Sequence, residues 1–227
     1  MTPGLLAAVV LLAAAMLFVW SRLRRYRRAE YIRTFNFPPG LYQKLADRRP
    51  ELTLKDCALV ARGLRQFFLA YLASGRKFVS MPSQVADDLW HEFILYTRNY
   101  QEFCGHAFGG FLHHTPAVVL GAERRDNAGL RRAWWHACKE ENINPRKAAR
   151  LPLLFALDTK LNIANGFRYA PDCKALRQRG EGGVHCAGDF GDSSVDGSTE
   201  GFGDATSSGG DSGSGCGGGG CGGGGGD

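Results

Sequence analysis

Residues 4–20 read GLLAAVVLLAAAMLFVW, without a charge or a strongly polar side chain. About seventeen such residues lie at the short end of what crosses a bilayer as a helix. The run is apolar on every face, which suits lipid better than the one-sided core packing of a soluble helix. Trp20 closes it, where an amphipathic ring is favoured at the membrane interface. Arg22, Arg24, Arg25, Arg27 and Arg28 follow at once, with Arg33 further on. A secretory signal carries its positive charge before the apolar run, and here the charge comes after it. The expectation is a transmembrane helix over 4–20 with the N-terminus outside and everything from Ser21 onward cytoplasmic. The basic segment 21–36 would then bind anionic lipid headgroups, at about 1 kcal/mol for each arginine near the surface.

The rest of the chain divides by composition. Only about residues 37–173 carry enough apolar side chains for a core, a normal size for one domain. Residues 180–227 hold eight acidic residues and no Lys or Arg, leaving 28 basic against 14 acidic in the first 179. A body of charge +14 and a tail of −8 favour anionic partners for the body, the tail itself among them. The segment 174–227 is dominated by Gly, Ser and Asp, ends GCGGGGCGGGGGD, and is expected to be disordered. Seven cysteines, scattered and odd in number, fit free thiols better than a disulfide framework. Cys216 and Cys221 are spaced to pair or share a soft metal, at an entropic cost in a glycine chain.

Helical periodicity covers most of the body. Pro38-Pro39-Gly40 breaks the chain, and Leu41 to Arg48 predicts a short helix. Thr53 reads as the N-cap of a helix with Leu54, Cys57, Ala61, Leu64, Phe68 and Leu72 on one side, ending at Ser74-Gly75. Pro82-Ser83 opens a helix with Val85, Leu89, Phe93, Tyr96, Tyr100 and Phe103 as its stripe and Gly105 as its stop. A loop over His106 to Pro116 follows. Asn127 caps a helix with Leu130, Trp134, Ala137 and Cys138 inward, and Pro152 begins a last one with Leu154, Leu157 and Leu161 inward. Strand signals are few. The expected class is mainly α: one N-terminal transmembrane helix, a small helical domain and a glycine-rich tail.

The densest chemistry lies between Asp87 and His114. Asp87 and His91 are four apart and share a helix face. A carboxylate there can fix the tautomer of the imidazole and leave its other nitrogen free. A zinc-like divalent site then needs the loop to fold back, adding His113, His114 or both to His91 and Asp87. On a straight helix Cys104 lies about 20 Å from His91, too far to share an ion. The same residues also read as a buried histidine bonded to Asp87 with His113-His114 capping the loop. Cys104, beside Gly105 and His106, is a candidate activated thiol or a small buried residue at a helix end. Trp134-Trp135 among Arg131, Arg132 and Lys139 suits base stacking, or one core and one half-exposed indole.

GLRQFF (63–68), MPSQ (81–84), DDLWHEF (87–93), YQEFC (100–104), FGGFLHH (108–114) and LPLLFALD (151–158) together resemble an uncharacterised bacterial membrane-anchored family related to the glycine-rich domain-containing proteins. The resemblance covers about residues 41–173. It implies an inner-membrane anchor, a helical body and a Gly/Cys tail, and it carries no activity. Relatives often read WHxH where this chain has Trp90-His91-Glu92-Phe93, so Phe93 stands in place of a second histidine.

The leading expectation is a binding or scaffold module at the cytoplasmic membrane face, with lipid and protein partners. The alternative is a metal-binding enzyme or sensor on Asp87, His91, His113 and His114. Nucleic-acid binding is disfavoured, because the charge is densest beside the membrane and no base-reading motif appears.

Overall fold

The computed structural model describes residues 3–114 and 128–171, together with the backbone of 185–186. The cap expected at Asn127, the 174–227 tail as a segment and the Cys216–Cys221 pair lie outside the described residues.

Helix α1 (Pro3–Thr34) runs unbroken from the apolar segment through the arginines. It is long and apolar enough to cross a membrane, and none of its most apolar stretch is buried in the protein. Its last turns behave differently. Ile32 is fully buried, and Ala29, Tyr31 and Phe35 pack against the core. The guanidinium of Arg33 donates through Nε and Nη2 to both oxygens of Glu140, at 2.8 and 2.9 Å. The core therefore takes in the end of the segment that composition assigns to the membrane border.

Helix α2 (Leu41–Arg48) buries Leu41 and Leu45. Helix α3 (Leu54–Ala73) starts in a capping box in which Thr53 and Asp56 satisfy each other's backbone N–H. It is the central element, touching α1, α2 and the helices that follow. Gly63 lets it approach the last helix, since a Cβ there would overlap Leu157.

The stripe from Val85 to Phe103 belongs to two helices, α4 (Gln84–Leu95) and α5 (Thr97–Phe108), joined at Tyr96. The rings of Phe93 and Phe103 lie 5.5 Å apart, whereas ten residues of straight helix would separate them by about 15 Å. Folding back at Tyr96 lets one apolar stripe close on itself. The stop also differs from Gly105: α5 continues through His106, and Gly109 (φ 74) terminates it in the left-handed region.

Helix α6 (Ala128–Glu140) buries Ala133, Trp134, Ala137 and Cys138. Trp134 is fully enclosed and donates to the Pro145 carbonyl, while Trp135 is half-buried with Lys139 over its ring. Helix α7 (Leu153–Lys160) follows Pro152. Its first N–H groups go to partners distant in sequence, Leu153 to Glu141 and Leu154 to the buried Gln66. A two-residue parallel pair, β1 (Tyr169–Ala170) with β2 (His185–Cys186), completes the described elements. The body is helical, as its periodicity predicts.

Candidate functional site

Two buried carboxylates fix α4. Asp158, on α7 and 3% exposed, accepts from Ser83 Oγ (2.7 Å) and from the N–H groups of Gln84, Val85 and Phe167. A negative charge at a helix N-terminus answers both its unpaired donors and its dipole. Asp88 is turned toward α2, where Arg49 holds it through Nε and Nη2 at 2.9 and 2.7 Å. The neighbouring Asp87 is left facing a cleft. The two adjacent aspartates thus divide the work, one structural and one exposed to chemistry.

The loop after α5 folds back over this face. Tyr100, buried in α5, receives the Trp90 indole N–H at 3.1 Å and donates its hydroxyl to the Leu112 carbonyl at 2.5 Å. Burial pushes the Tyr100 hydroxyl far above its ordinary range, so it is a fixed donor. With Leu112 held, His114 falls beside α4. Its Nε2 lies 3.0 Å from Asp87 Oδ1, its ring packs edge-on to Trp90, and its centroid is 4.3 Å from that of His91. His91 Nδ1 stands 3.6 Å from Asp87 Oδ2, an ion-pair distance too long for a hydrogen bond. Each carboxylate oxygen thus addresses a different imidazole, the nearer one from the loop.

Asp87, His91 and His114 each offer a ligand atom within 4.8 Å of the others, all three half-buried. His113 is not in this set. It is exposed, with its ring 4.8 Å from that of Phe111. All four residues line a cleft of about 460 Å³, walled by Phe67, Tyr71, Phe78, Met81, Trp90 and Phe167. A mostly apolar hollow with a few converging polar groups is the usual form of a small-molecule site. The wall residues from 78–81 and Phe167 were not among the expected site residues; they carry no pattern beyond ordinary apolar positions.

Cys104 is fully buried, and desolvation raises its thiol pKa, eased by the backbone of Leu112 and the Tyr100 hydroxyl. That is the reverse of what activates a thiolate, and the residue packs as core. Cys57 is raised by burial too, and Cys138 is pushed up to about 12. The juxtamembrane arginines separate: Arg24, Arg27 and Arg28 line a groove between α1 and α5, while Arg22 and Arg25 do not.

Residues 27–190 match the UCP032817-like family. The chain belongs to that family. The matched span runs from the end of the arginine cluster through the whole helical body, so α4, the folded-back loop and α7 are all family territory, while the apolar segment precedes it. No curated protein and no solved structure matches the chain.

Proposed function

We propose that this member of the UCP032817-like family is a single-pass protein of the bacterial inner membrane that holds a zinc-like divalent metal at its cytoplasmic face. Asp87, His91 and His114 would hold it, and all three line the cleft. The observation that carries the reading is the convergence of a carboxylate and two imidazoles, from α4 and from a loop held down by Tyr100, at the wall of a hollow. The three ligand atoms lie within 4.8 Å of one another, and zinc would need each at about 2.0–2.2 Å. Three protein ligands with one open position is the arrangement of catalytic rather than structural zinc, and it suits activation of water or polarisation of a bound carbonyl.

The test uses the full chain in detergent, purified without a histidine tag, equilibrated with Zn²⁺ and assayed for bound metal. One metal per chain is expected. His91→Ala and His114→Ala each weaken it about a hundredfold or more, beyond what loss of an outer partner costs, and His113→Ala leaves it unchanged. A folded wild-type chain that takes up no zinc, or a His91→Ala variant that binds as well as wild type, overturns the proposal. The apolar wall of the same cleft supports a second reading, a scaffold module that takes an apolar group of a protein partner without a metal.

A further inference from the structure

The arginines after the apolar run occupy two faces of α1. Trp20, Leu23, Arg24, Arg27, Arg28 and Tyr31 recur at steps of three and four and, with His106 of α5, line a groove of about 400 Å³. Arg22 stands apart over the Phe18 ring. The groove is graded along its length. Trp20 and Leu23, exposed and apolar, lie at the end nearest the bilayer, and the guanidiniums follow. At 1.5 Å per residue, Arg24 is about 6 Å and Arg28 about 12 Å beyond Trp20. A headgroup layer is about 5–8 Å deep on each side, so Arg24 lies within it and the backbone of Arg28 just beyond its outer edge, with the side chain tilted back toward the helix N-terminus.

Two of these cations are placed by specific contacts. Arg24 lies over the Trp20 ring, 5.2 Å from its centroid. Arg28 reaches across to α5 and lies over Gly109, where any Cβ would overlap its guanidinium. Burial, Arg24 and Arg76 all lower the Arg28 pKa, and among the described residues no carboxylate lines the groove itself.

We propose that this groove is a binding site for the phosphate of an anionic glycerophospholipid, held by Arg24, Arg27 and Arg28, with Trp20 and Leu23 against the glycerol and first acyl carbons. The inference rests on α1 lying in the bilayer and is independent of the metal. Charge-assisted contacts to phosphate are directional, so a built site distinguishes these arginines from Arg22 and Arg25, whereas general attraction to a negative surface does not.

The experiment titrates the full chain in mixed micelles with phosphatidylglycerol, using phosphatidylcholine as the zwitterionic comparison and inorganic phosphate as the soluble competitor. Arg24→Gln/Arg27→Gln and Arg22→Gln/Arg25→Gln each remove two charges from exposed positions. The first pair is expected to weaken phosphatidylglycerol binding about tenfold more than the second. Millimolar inorganic phosphate leaves the lipid in place. Equal losses in the two variants would overturn the site in favour of general attraction, and displacement by inorganic phosphate would overturn a lipid as its occupant. Alkaline extraction of membranes separates the two readings. A variant that stays membrane-embedded has lost only the headgroup, and a wild-type chain that is washed off refutes the anchor.

Discussion

Among the histidines, His136 makes the clearest statement about pH. It is half-buried on α6, and desolvation lowers its pKa from the ordinary 6.5. The folded state therefore prefers the neutral ring, and the unfolded chain takes up the proton first as pH falls. Its contribution to stability is complete above about 6.5 and is lost as the pH drops from there through the lower folded value. Denaturant midpoints of the metal-free chain are expected to fall between about pH 7 and about pH 5, and His136→Gln flattens that decline. An identical slope in the variant assigns the effect elsewhere. At the same scale, the Asp87-Asp88 pair shows what a sequence hides. Both residues sit on one helix about 100° apart, and the packing of α2, with Arg49 and Arg48 beside Asp88, decides which of the two is buried and paired and which faces the cleft. Asp87 and His91 were readable from their spacing. That His114 rather than His113 completes the trio was not, because it follows from a loop bend set by Tyr100, twelve residues from Leu112.

At the level of elements, local signals located several helix ends and missed two. Thr53 caps α3, the bounds of α2 agree with its pattern, and Pro152 precedes α7. The break at Tyr96 was invisible, since no Gly or Pro marks it and the apolar stripe continues through it. Its cause is tertiary, the closure of Phe93, Tyr100 and Phe103 upon one another. Helix ends are also where elements distant in sequence support one another. Glu141 and Gln66 take the first N–H groups of α7, and Asp158 of α7 takes those of α4. Burial works against the Glu141 charge, yet the Leu153 N–H, the Gln66 amide and Arg150 outweigh it and hold its pKa below the ordinary value. Asp158→Ala would strand several buried donors at about 1–3 kcal/mol each, a loss of about 3 kcal/mol or more. Because α4 bears two of the three proposed ligands, the surviving folded protein should also bind zinc more weakly. Stability within about 0.5 kcal/mol of wild type would show that water replaces the carboxylate at no cost.

For the molecule as a whole, composition alone separated an apolar leader, a basic body and an acidic glycine tail. The orientation that the arginines imply is open to a direct check. In sealed inverted vesicles, where the cytoplasmic face is outermost, added protease should digest the body. A protected body reverses the topology and places the cleft on the opposite face of the membrane.

Helix α1 has no hinge between its apolar stretch and the core. From Trp20 to Ile32 it rises about 18 Å without interruption, and its far end is clamped by the buried Ile32 and the Arg33–Glu140 fork. The body is therefore mounted on a stalk of set height and set phase, not tethered on a leash. One residue inserted between Ser21 and Arg25 would turn the cleft by about 100° around the stalk and lift it only about 1.5 Å. With α1 in a bilayer as proposed, whatever enters the cleft meets it from one compass direction at one altitude above the lipid.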